Sequence, residues 1–395
     1  MSRNNNFFID VACIQNMHVG ESICGDVFLS RKIKDEGRSI IVLSDGMGSG
    51  VKANVLASLT ASMAMSFTQD HRDVAASAQV IMDTLPVCSE RKISYSTFTI
   101  IDIDVDGTTV IVEYDNPCCL IMSGIKEVDP GWRYELIDDE RCRKRLRICS
   151  FKASMEFRIF FWTDGLVQSG MGSRVHPFGW GYDNLKRYVL NLVSASPFSS
   201  SAGLARKLVN MASANDGGRP SDDTSAGVVY FREPRKLLLV TGPPFDARND
   251  LNYALKVQQF NGKKIIAGGT SAEIIARELA LCFDQGMDVS DPDLPPLSYV
   301  DGFSLVTEGI LTLGKVVKIL ENYRPDDRLG NGPAEKIVKL FFESDRIHFL
   351  NGTGINIAHQ DPNLPVELEI RRSVVKRICR LLEDKFLKDV DIEYI

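Results

Sequence analysis

Four acidic positions in the chain stand where apolar segments begin or end. They are Asp45 after IIVLS, Asp164 after IFFWT, Asp222 with Asp223 before TSAGVVYF, and Asp26 before VFLS. In an antiparallel sheet the end of one strand lies beside the start of its neighbour, so these positions can meet at one rim. Carboxylates gathered there repel each other unless cations neutralise them. The pattern therefore predicts a metal centre.

The donor types indicate which metal this centre would hold. The motifs offer oxygen ligands without His or Cys, a set that suits Mg²⁺ or Mn²⁺ better than Zn²⁺. Gly46 and Gly165 each follow an aspartate, where glycine permits a tight turn and lets a backbone carbonyl approach a metal. Two such ions about 3.5–4 Å apart can activate a bridging water for attack on a phosphate ester. That reaction needs no covalent nucleophile, and the chain has no CxxxxxR thiol-phosphatase loop.

Short apolar strands separated by turns dominate the first 232 residues. The predicted strands are 7–14, 27–33, 39–44, 96–104, 108–114, 118–123, 147–153, 157–163 and 226–231. The predicted helices are 50–67, 73–84, 183–195 and 201–213. Short strands joined by tight turns indicate antiparallel sheets. We therefore expect an α+β domain in which an antiparallel β-sandwich is flanked by helices.

Glu233-Pro234 follows the last of these strands and marks a domain boundary. Beyond it strands alternate with helices, which predicts an α/β domain with a mainly parallel sheet. Its predicted strands are 236–242, 263–269, 303–307, 346–352 and 389–395. Its predicted helices are 248–260, 271–282, 312–322 and 367–386. The two domains are thus expected at 1–232 and 235–395.

Glycine turns after the predicted parallel strands are the features of the second domain that could bind a ligand. Gly268-Gly269 stands between a strand and a helix, with Thr270 or Ser271 as the predicted N-cap. Open α/β sheets bind small molecules at such turns. A small ligand at this domain and plain turns without a ligand both stay open. The charged amphipathic helix near the C-terminus is expected to pack on the sheet and is also compatible with a homodimer.

Four ordered motifs resemble those of the metal-dependent protein phosphatases, the PPM or protein phosphatase 2C-like family. They are Gly25-Asp26, SDGMGSG at 44–50, TDG at 163–165 and SDDTSAGVV at 221–229. Within that family they look like the bacterial branch typified by the SpoIIE phosphatase domain, over about residues 7–232. The resemblance implies a β-sandwich between helical layers and two Mn²⁺ or Mg²⁺ ions. It also implies hydrolysis of phosphoserine or phosphothreonine in a protein, in bacterial signalling.

The resemblance also assigns roles to the residues at matching positions. It implies that Asp45 bridges both ions and that the Gly46 carbonyl binds one of them. It further implies that Asp164 and Asp222 hold the second ion. Asp45, Asp164 and Asp222 are accordingly the predicted catalytic residues.

Two further aspartates complete the predicted metal set. By resemblance Asp26 is a ligand or the neighbour of one, and Asp223 is included mainly as a support. Animal and plant relatives usually carry a proton-donating His two residues after the bridging aspartate, where this chain has Met47. The wider family also has an N-terminal arginine that grips phosphate, for which Arg3 is the candidate. We therefore expect phosphate binding to rest mostly on the metals.

Composition limits the partners of the protein. The 395 residues carry a net charge of −6 at pH 7, which argues against nucleic-acid binding. No apolar run approaches the ~20 residues of a membrane helix, and the first residues lack the features of a signal peptide. Nine irregularly spaced cysteines fit buried thiols in a reducing cytoplasm. We therefore expect a cytoplasmic protein, and the resemblance suggests a phosphorylated antagonist of an anti-sigma factor as its substrate.

Two other functions compete with this interpretation. SDGMGSGVKANVLA resembles a glycine-rich phosphate loop between a strand and a helix, as in nucleotide-binding proteins. Its spacing lacks the usual third glycine, and no strand with a terminal acid follows about 20 residues on. The other competing function is a catalytically inactive phosphatase fold that only binds a partner. The presence of all four aspartate motifs argues against it.

Overall fold

The structure, a computed structural model, divides the chain into two compact units, Met1–Glu233 and Pro234–Ile395. The residues it describes are 7–33, 35–70, 77, 80–81, 96–139, 142–282, 302–324, 327–354, 364–386 and 388–395. Each unit has its own hydrophobic core.

The strands of the first unit form two antiparallel sheets. One contains β1 (Phe8–Asn16), β6 (Leu120–Ser123), β7 (Lys126–Glu127), β10 (Phe157–Trp162) and β11 (Thr224–Arg232). The other contains β2 (Val27–Ile33), β3 (Arg38–Gly46), β4 (Ser96–Ile103), β5 (Thr108–Tyr114), β8 (Arg133–Asp139) and β9 (Cys142–Lys152). The order is β1-β11-β10-β6-β7 in the first, the β1 sheet, and β2-β3-β4-β5-β9-β8 in the second, the β2 sheet.

The two sheets stack face to face because their strands send apolar side chains to both faces. In β3, Ile41 joins Phe161 of the opposite sheet in the core between the sheets. Ile40, the preceding residue, points the other way and packs with Ala61 of α1 (Gly50–Gln69). A helix therefore covers the outer face of the β2 sheet.

Further helices cover the outer face of the β1 sheet. The other helices of this unit are α2 (Asp164–Gln168), α3 (Tyr182–Ala195) and α4 (Ser201–Asn215). Leu185 of α3 and Leu208 of α4 pack with Trp162 on that face. The layers are helix, sheet, sheet and helix, which confirms the predicted α+β sandwich. No helix in the described part of the chain has both the length and the apolar character that a membrane crossing requires.

Three described elements of this unit were not predicted, and each has a physical reason. Strands β7 and β8 form the edges of their sheets and consist largely of charged residues, so they lack an apolar pattern. Helix α2 has only five residues and begins at an aspartate of a predicted metal motif. The helix predicted at 73–84 lies almost entirely outside the described residues.

The second unit is built on one parallel sheet. Its strands are β12 (Lys236–Thr241), β13 (Lys263–Ala267), β14 (Leu305–Thr307), β15 (Arg346–Asn351) and β16 (Asp389–Tyr394). Their order is β14-β13-β12-β15-β16, with every neighbouring pair parallel, which confirms the predicted α/β class. The chain winds outward from β12 in both directions, as in doubly wound folds.

Helices cover both faces of this sheet, as a parallel sheet requires. They are α5 (Asp250–Gln259), preceded by a 3₁₀ turn, and α6 (Gly269–Leu279), α7 (Ile310–Asn322), α8 (Pro333–Glu343) and α9 (Leu364–Asp384). Helix α8 was not predicted, although Pro333 at its start and the spacing of Ile337 and Phe341 are typical of a helix. The predicted N-cap of α6 is wrong, because the helix begins at Gly269 with Gly268 as its N-cap.

Gly314 lies in the interior of α7, where a Cβ would meet no atom within 4 Å apart from the backbone of its own helix turn. Glycine inside a helix costs about 0.5–1 kcal/mol relative to alanine, because its unfolded backbone is freer. We expect Gly314→Ala to raise the free energy of unfolding of this unit by about that amount, measured by urea denaturation. An equal or lower stability would show that the added methyl group meets a restraint.

Candidate metal centre

The predicted site residues come from both sheets of the first unit. Asp26, Asp45 and Gly46 adjoin strands of the β2 sheet, whereas Asp164, Asp222 and Asp223 adjoin strands of the β1 sheet. The predicted pairing of strand ends with neighbouring strand starts is confirmed within each sheet, because Val27 pairs with Ser44 and Trp162 pairs with Ala226. The four positions do not, however, share one sheet. The two halves come together because the sheets stack, so strand pairing accounts for each half and tertiary packing accounts for their meeting.

Three glycines let the motifs approach one another. A Cβ at Gly25 would lie 2.7 Å from Asp223 Oδ2, and one at Gly165 would lie 2.2 Å from the Asp223 carbonyl oxygen. A Cβ at Gly46 would lie 2.1 Å from the Ala53 carbonyl oxygen in α1. Neither Gly46 nor Gly165 has a positive φ, so a left-handed backbone is not the reason for glycine there. The reason is close packing of backbone on backbone.

Asp26 is almost fully buried and is held by two hydroxyl groups. Thr163 Oγ1 and Ser225 Oγ donate to its Oδ2 at 2.9 and 2.6 Å. Its Oδ1 is buried and has no hydrogen-bond partner within the described ranges. Burial raises the pKa of Asp26 to about 7 despite these hydroxyls, with smaller contributions from the charges of Asp223 and Asp164. The two hydroxyls thus position the Asp26 carboxylate, but only one of its two oxygens accepts hydrogen bonds.

Asp45 and Asp222 are also surrounded by negative charge. Burial raises the pKa of Asp45 well above its ordinary value. Repulsion adds to this effect from three carboxylates, those of Asp26, Asp164 and Asp222. Burial, followed by repulsion from Asp164, raises the pKa of Asp222 to about 6. The ionised groups are within electrostatic reach of one another, an arrangement that favours a compensating cation.

Hydrogen bonds orient the remaining carboxylates. Gln168 Nε2, at the other end of the short helix α2, donates to Asp164 Oδ2 at 2.7 Å. The backbone N–H of His18 donates to Asp223 Oδ1 at 3.0 Å, and the N–H of Asp223 donates to Asp222 Oδ1 at 2.8 Å. Asp223 Oδ2 is buried and unpartnered among the described residues. Each of these side chains is therefore fixed by an N–H donor.

The donor chemistry of the site fits a hard divalent cation. Asp26 Oδ1 and Asp223 Oδ2 are buried oxygens that lack a donor in the described part of the chain, and their neighbours are further carboxylates. A cation would satisfy those oxygens and offset the repulsion. As the side chains stand, no group of three or more His, Cys, Asp or Glu residues in the described ranges is arranged to hold an ion. Assignment of the six residues as ligands stays a prediction.

Some residues with contacts in this centre were not singled out from the sequence. They are His18, Thr163, Gln168 and Ser225. Thr163 and Ser225 belong to the TDG and SDDTS motifs, and that membership is the only local signal of their role. Arg3, the predicted phosphate-binding arginine, lies outside the described residues.

The glycine-rich loop before α1 holds a carboxylate where a nucleotide phosphate would bind. Ser49 Oγ donates to Glu21 Oε1 at 3.2 Å, and a Cβ at Gly50 would lie 2.2 Å from Glu21 Oε2. The Glu21 carboxylate therefore lies at the N-terminus of α1, where the helix dipole favours negative charge. A phosphate would have to displace it, which argues against the nucleotide-binding alternative at this loop.

The stacked antiparallel sheets, their helical layers and the aspartates between them define a PP2C-like phosphatase fold. The family model for stage II sporulation protein E, SpoIIE, matches residues 35–232, half of the chain. This protein belongs to the SpoIIE family, whose PP2C-like members are metal-dependent phosphatases. The match includes Asp45, Asp164, Asp222 and Asp223, while Asp26 precedes it. Membership supports a phosphatase function in bacterial signalling.

Several solved structures are similar to the chain at low identity. The SpoIIE phosphatase domain from Bacillus subtilis is 15% identical with a TM-score of 0.43, covering 58% of this chain and 95% of that one. A SpoIIE structure from the same organism that adds a fragment of the regulatory domain is 16% identical with a TM-score of 0.46, covering 57% of this chain and 64% of that one. The RsbU and RsbW domains of a Mycobacterium tuberculosis protein are 15% identical with a TM-score of 0.43, covering 64% of this chain and 69% of that one. No curated protein matches the chain.

Proposed function

We propose that the first unit is a protein serine/threonine phosphatase that uses two Mn²⁺ or Mg²⁺ ions. One observation carries the proposal: buried and half-buried aspartates from separate motifs, close enough to repel one another, meet where the two sheets of a PP2C-like fold stack. Buried carboxylates of this kind are costly unless cations neutralise them. Bound divalent cations would offset the repulsion among these carboxylates. Membership of the SpoIIE family supports phosphate hydrolysis as the reaction that the cations assist.

In this proposal the cations, when bound, supply an activated water and stabilise charge on the phosphoryl group. Asp45 would be the ligand shared by both ions, and the Gly46 carbonyl would bind one of them. Asp164 and Asp222 would hold the other ion. Gln168 fixes the orientation of Asp164 through its 2.7 Å hydrogen bond.

Asp26 and Asp223 complete the proposed set through their unpartnered oxygens. The hydroxyl groups of Thr163 and Ser225 stabilise the ionised form of Asp26 on its Oδ2 and leave Oδ1 available to a ligand. The backbone N–H of His18 does the same for Asp223, through Oδ1. The donors therefore act by positioning the carboxylates rather than by contacting the substrate.

The proposed reaction leaves protonation of the leaving oxygen to solvent or to the substrate. Met47, half-buried beside Gly46 in the chain, has no proton to donate. Phosphate affinity would rest mainly on the cations, so small phosphate esters are expected to bind weakly. A phosphoprotein of bacterial signalling is the proposed substrate, and the first candidate is a phosphorylated antagonist of an anti-sigma factor.

Hydrolysis of a phosphothreonine peptide by the full chain tests this function. We expect phosphate release that requires Mn²⁺ or Mg²⁺ and falls to background with a chelator, because activation of the attacking water depends on the ions. A phosphotyrosine peptide of the same sequence is the matched control and should react more slowly. Activity that survives chelation would contradict the two-ion mechanism. Failure to bind Mn²⁺ in a calorimetric titration would favour a partner-binding module instead.

A further inference from the structure

The second unit has a cavity of about 140 Å³ at the carboxyl ends of its parallel strands. The loops that follow β12, β13 and β14 line it, together with Arg371 of α9. Open α/β sheets bind ligands at this edge. The volume is well below the ~300–1,000 Å³ of a pocket for a drug-sized molecule, so the cavity fits a small group rather than a whole cofactor.

Backbone fills the neighbouring crevice between β12 and β15. A Cβ at Gly352 would lie 2.1 Å from the Pro243 carbonyl oxygen, and one at Gly354 would lie 2.1 Å from that of Pro244. The Gly352 N–H donates to Thr241 O at 2.8 Å, and the Gly354 N–H donates to Pro243 O at 2.9 Å. The space open to a ligand therefore lies on the β13 and β14 side of β12.

Two helix N-termini border this space, those of α6 and α7. Gly268 and Gly309 are their N-caps, and both line the cavity. Neither helix has a side-chain capping hydrogen bond or an acidic residue in its first turn. The first N–H groups of a helix lack intrahelical partners and carry the positive end of the dipole. Two such ends at one small cavity favour an anion.

Ser271 gives independent evidence for a ligand. It lines the cavity with only 1% of its surface exposed. Its Oγ lies within electrostatic reach of the Tyr253 hydroxyl but forms no hydrogen bond of ordinary geometry in the described part of the chain. The nearby Tyr253 hydroxyl donates elsewhere, to Gly242 O at 2.7 Å. A buried hydroxyl without a partner is unfavourable, and a hydrogen-bonding ligand in the cavity would remove that cost.

Arg371 and Glu308 set the charge around the cavity. A Cβ at Gly242 would lie 2.6 Å from Arg371 Nη1, so the guanidinium lies against the loop after β12. Arginine binds phosphate through charge-assisted, often bidentate hydrogen bonds. Glu308 opposes an anion, but it is exposed, so solvent screens its charge.

We propose that this cavity binds a phosphoryl group, either as inorganic phosphate or as part of a small phosphorylated molecule. The first N–H groups of α6, the Ser271 hydroxyl and the Arg371 guanidinium are all donors that suit its oxygens. The site is separate from the aspartate centre and gives the second unit a function of its own.

Calorimetry on the full chain tests this site with two probes, inorganic phosphate and adenosine monophosphate. A chelator is present to suppress phosphate binding at the metal centre. Arg371→Gln and Ser271→Ala remove the proposed donors. Arg372→Gln is the matched control, since this neighbour on α9 lies over the Tyr394 ring and does not line the cavity. Glu308→Gln tests the sign of the ligand charge.

We expect saturable binding that Arg371→Gln weakens about tenfold or more, because a charge-assisted hydrogen bond is lost. Ser271→Ala should weaken binding less, Arg372→Gln should leave it unchanged, and Glu308→Gln should tighten it. Tighter binding of the nucleotide would identify a larger phosphorylated ligand, and equal affinity would identify phosphate itself. The proposal is overturned if neither probe binds the wild type, or if Arg371→Gln and Ser271→Ala have no effect. Weaker binding in Glu308→Gln would overturn it too.

Discussion

Asp45→Asn is expected to lower metal-dependent phosphatase activity by about 10³-fold or more. Asp45 is the next-to-last residue of β3 and the proposed ligand of both ions, so the substitution would remove one negative charge from the surroundings of both. The amide keeps the shape of the side chain, which limits the change to charge and ligand strength. The measurement is kcat/KM for a phosphothreonine peptide at saturating Mn²⁺.

Asp183→Asn is the matched control for this variant. Asp183 is exposed at the start of α3 and belongs to no aspartate motif, so activity should stay unchanged. With a chelator present, Asp45→Asn should unfold at the same or a higher temperature than the wild type, because it removes a half-buried charge that neighbouring carboxylates repel. Wild-type activity in Asp45→Asn would exclude Asp45 as a shared ligand. A lower unfolding temperature would indicate a structural role instead.

Gly165→Ala is expected to lower activity by about 10²-fold while the fold persists. The added methyl group would lie 2.2 Å from the Asp223 carbonyl oxygen, so α2 and the segment before β11 must move apart. A displacement of about 1 Å in catalytic groups can cost about that factor. Overpacking of this kind also destabilises by about 1–3 kcal/mol. Activity and urea denaturation of the same preparation measure the two effects.

Gly203→Ala is the matched control for this change. Gly203 lies in the first turn of α4, and its Cβ would meet only the Ser200 hydroxyl, at 3.3 Å. The Ser200 hydroxyl caps α4 by accepting from the Gly203 N–H at 3.2 Å, and a shift of a few tenths of an ångström would relieve the contact while keeping that bond. We therefore expect activity and stability close to those of the wild type. If Gly165→Ala behaved like Gly203→Ala, the close contact with Asp223 would not control the geometry of the site.

Local sequence patterns were sufficient to predict most elements of the fold. The run from Ile40 to Leu43 identified β3 as a buried strand, and its alternate residues do pack on opposite faces. Turn-linked strands in the first part, and strand–helix alternation in the second, predicted an antiparallel and a parallel sheet correctly. These features depend on residues that are close in the chain, so a sequence pattern can contain them.

Sequence patterns of this kind did not predict the charged edge strands or the shortest helix. Lys126–Glu127 and Arg133–Asp139 form β7 and β8 because a neighbouring strand offers hydrogen bonds, and their own composition does not require it. Asp164–Gln168 is too short to show a helical period. Pro333–Glu343 does show one, and that helix could have been predicted.

The types of residue in the aspartate centre were determined by the sequence, but their assembly was decided by tertiary structure. Thr163 and Ser225 donate to Asp26 from 137 and 199 residues away. Asp26 and Asp164 adjoin different sheets, and backbone contacts at Gly165 set the approach of the motifs. No local pattern encodes such distances, because close packing of the whole core fixes them.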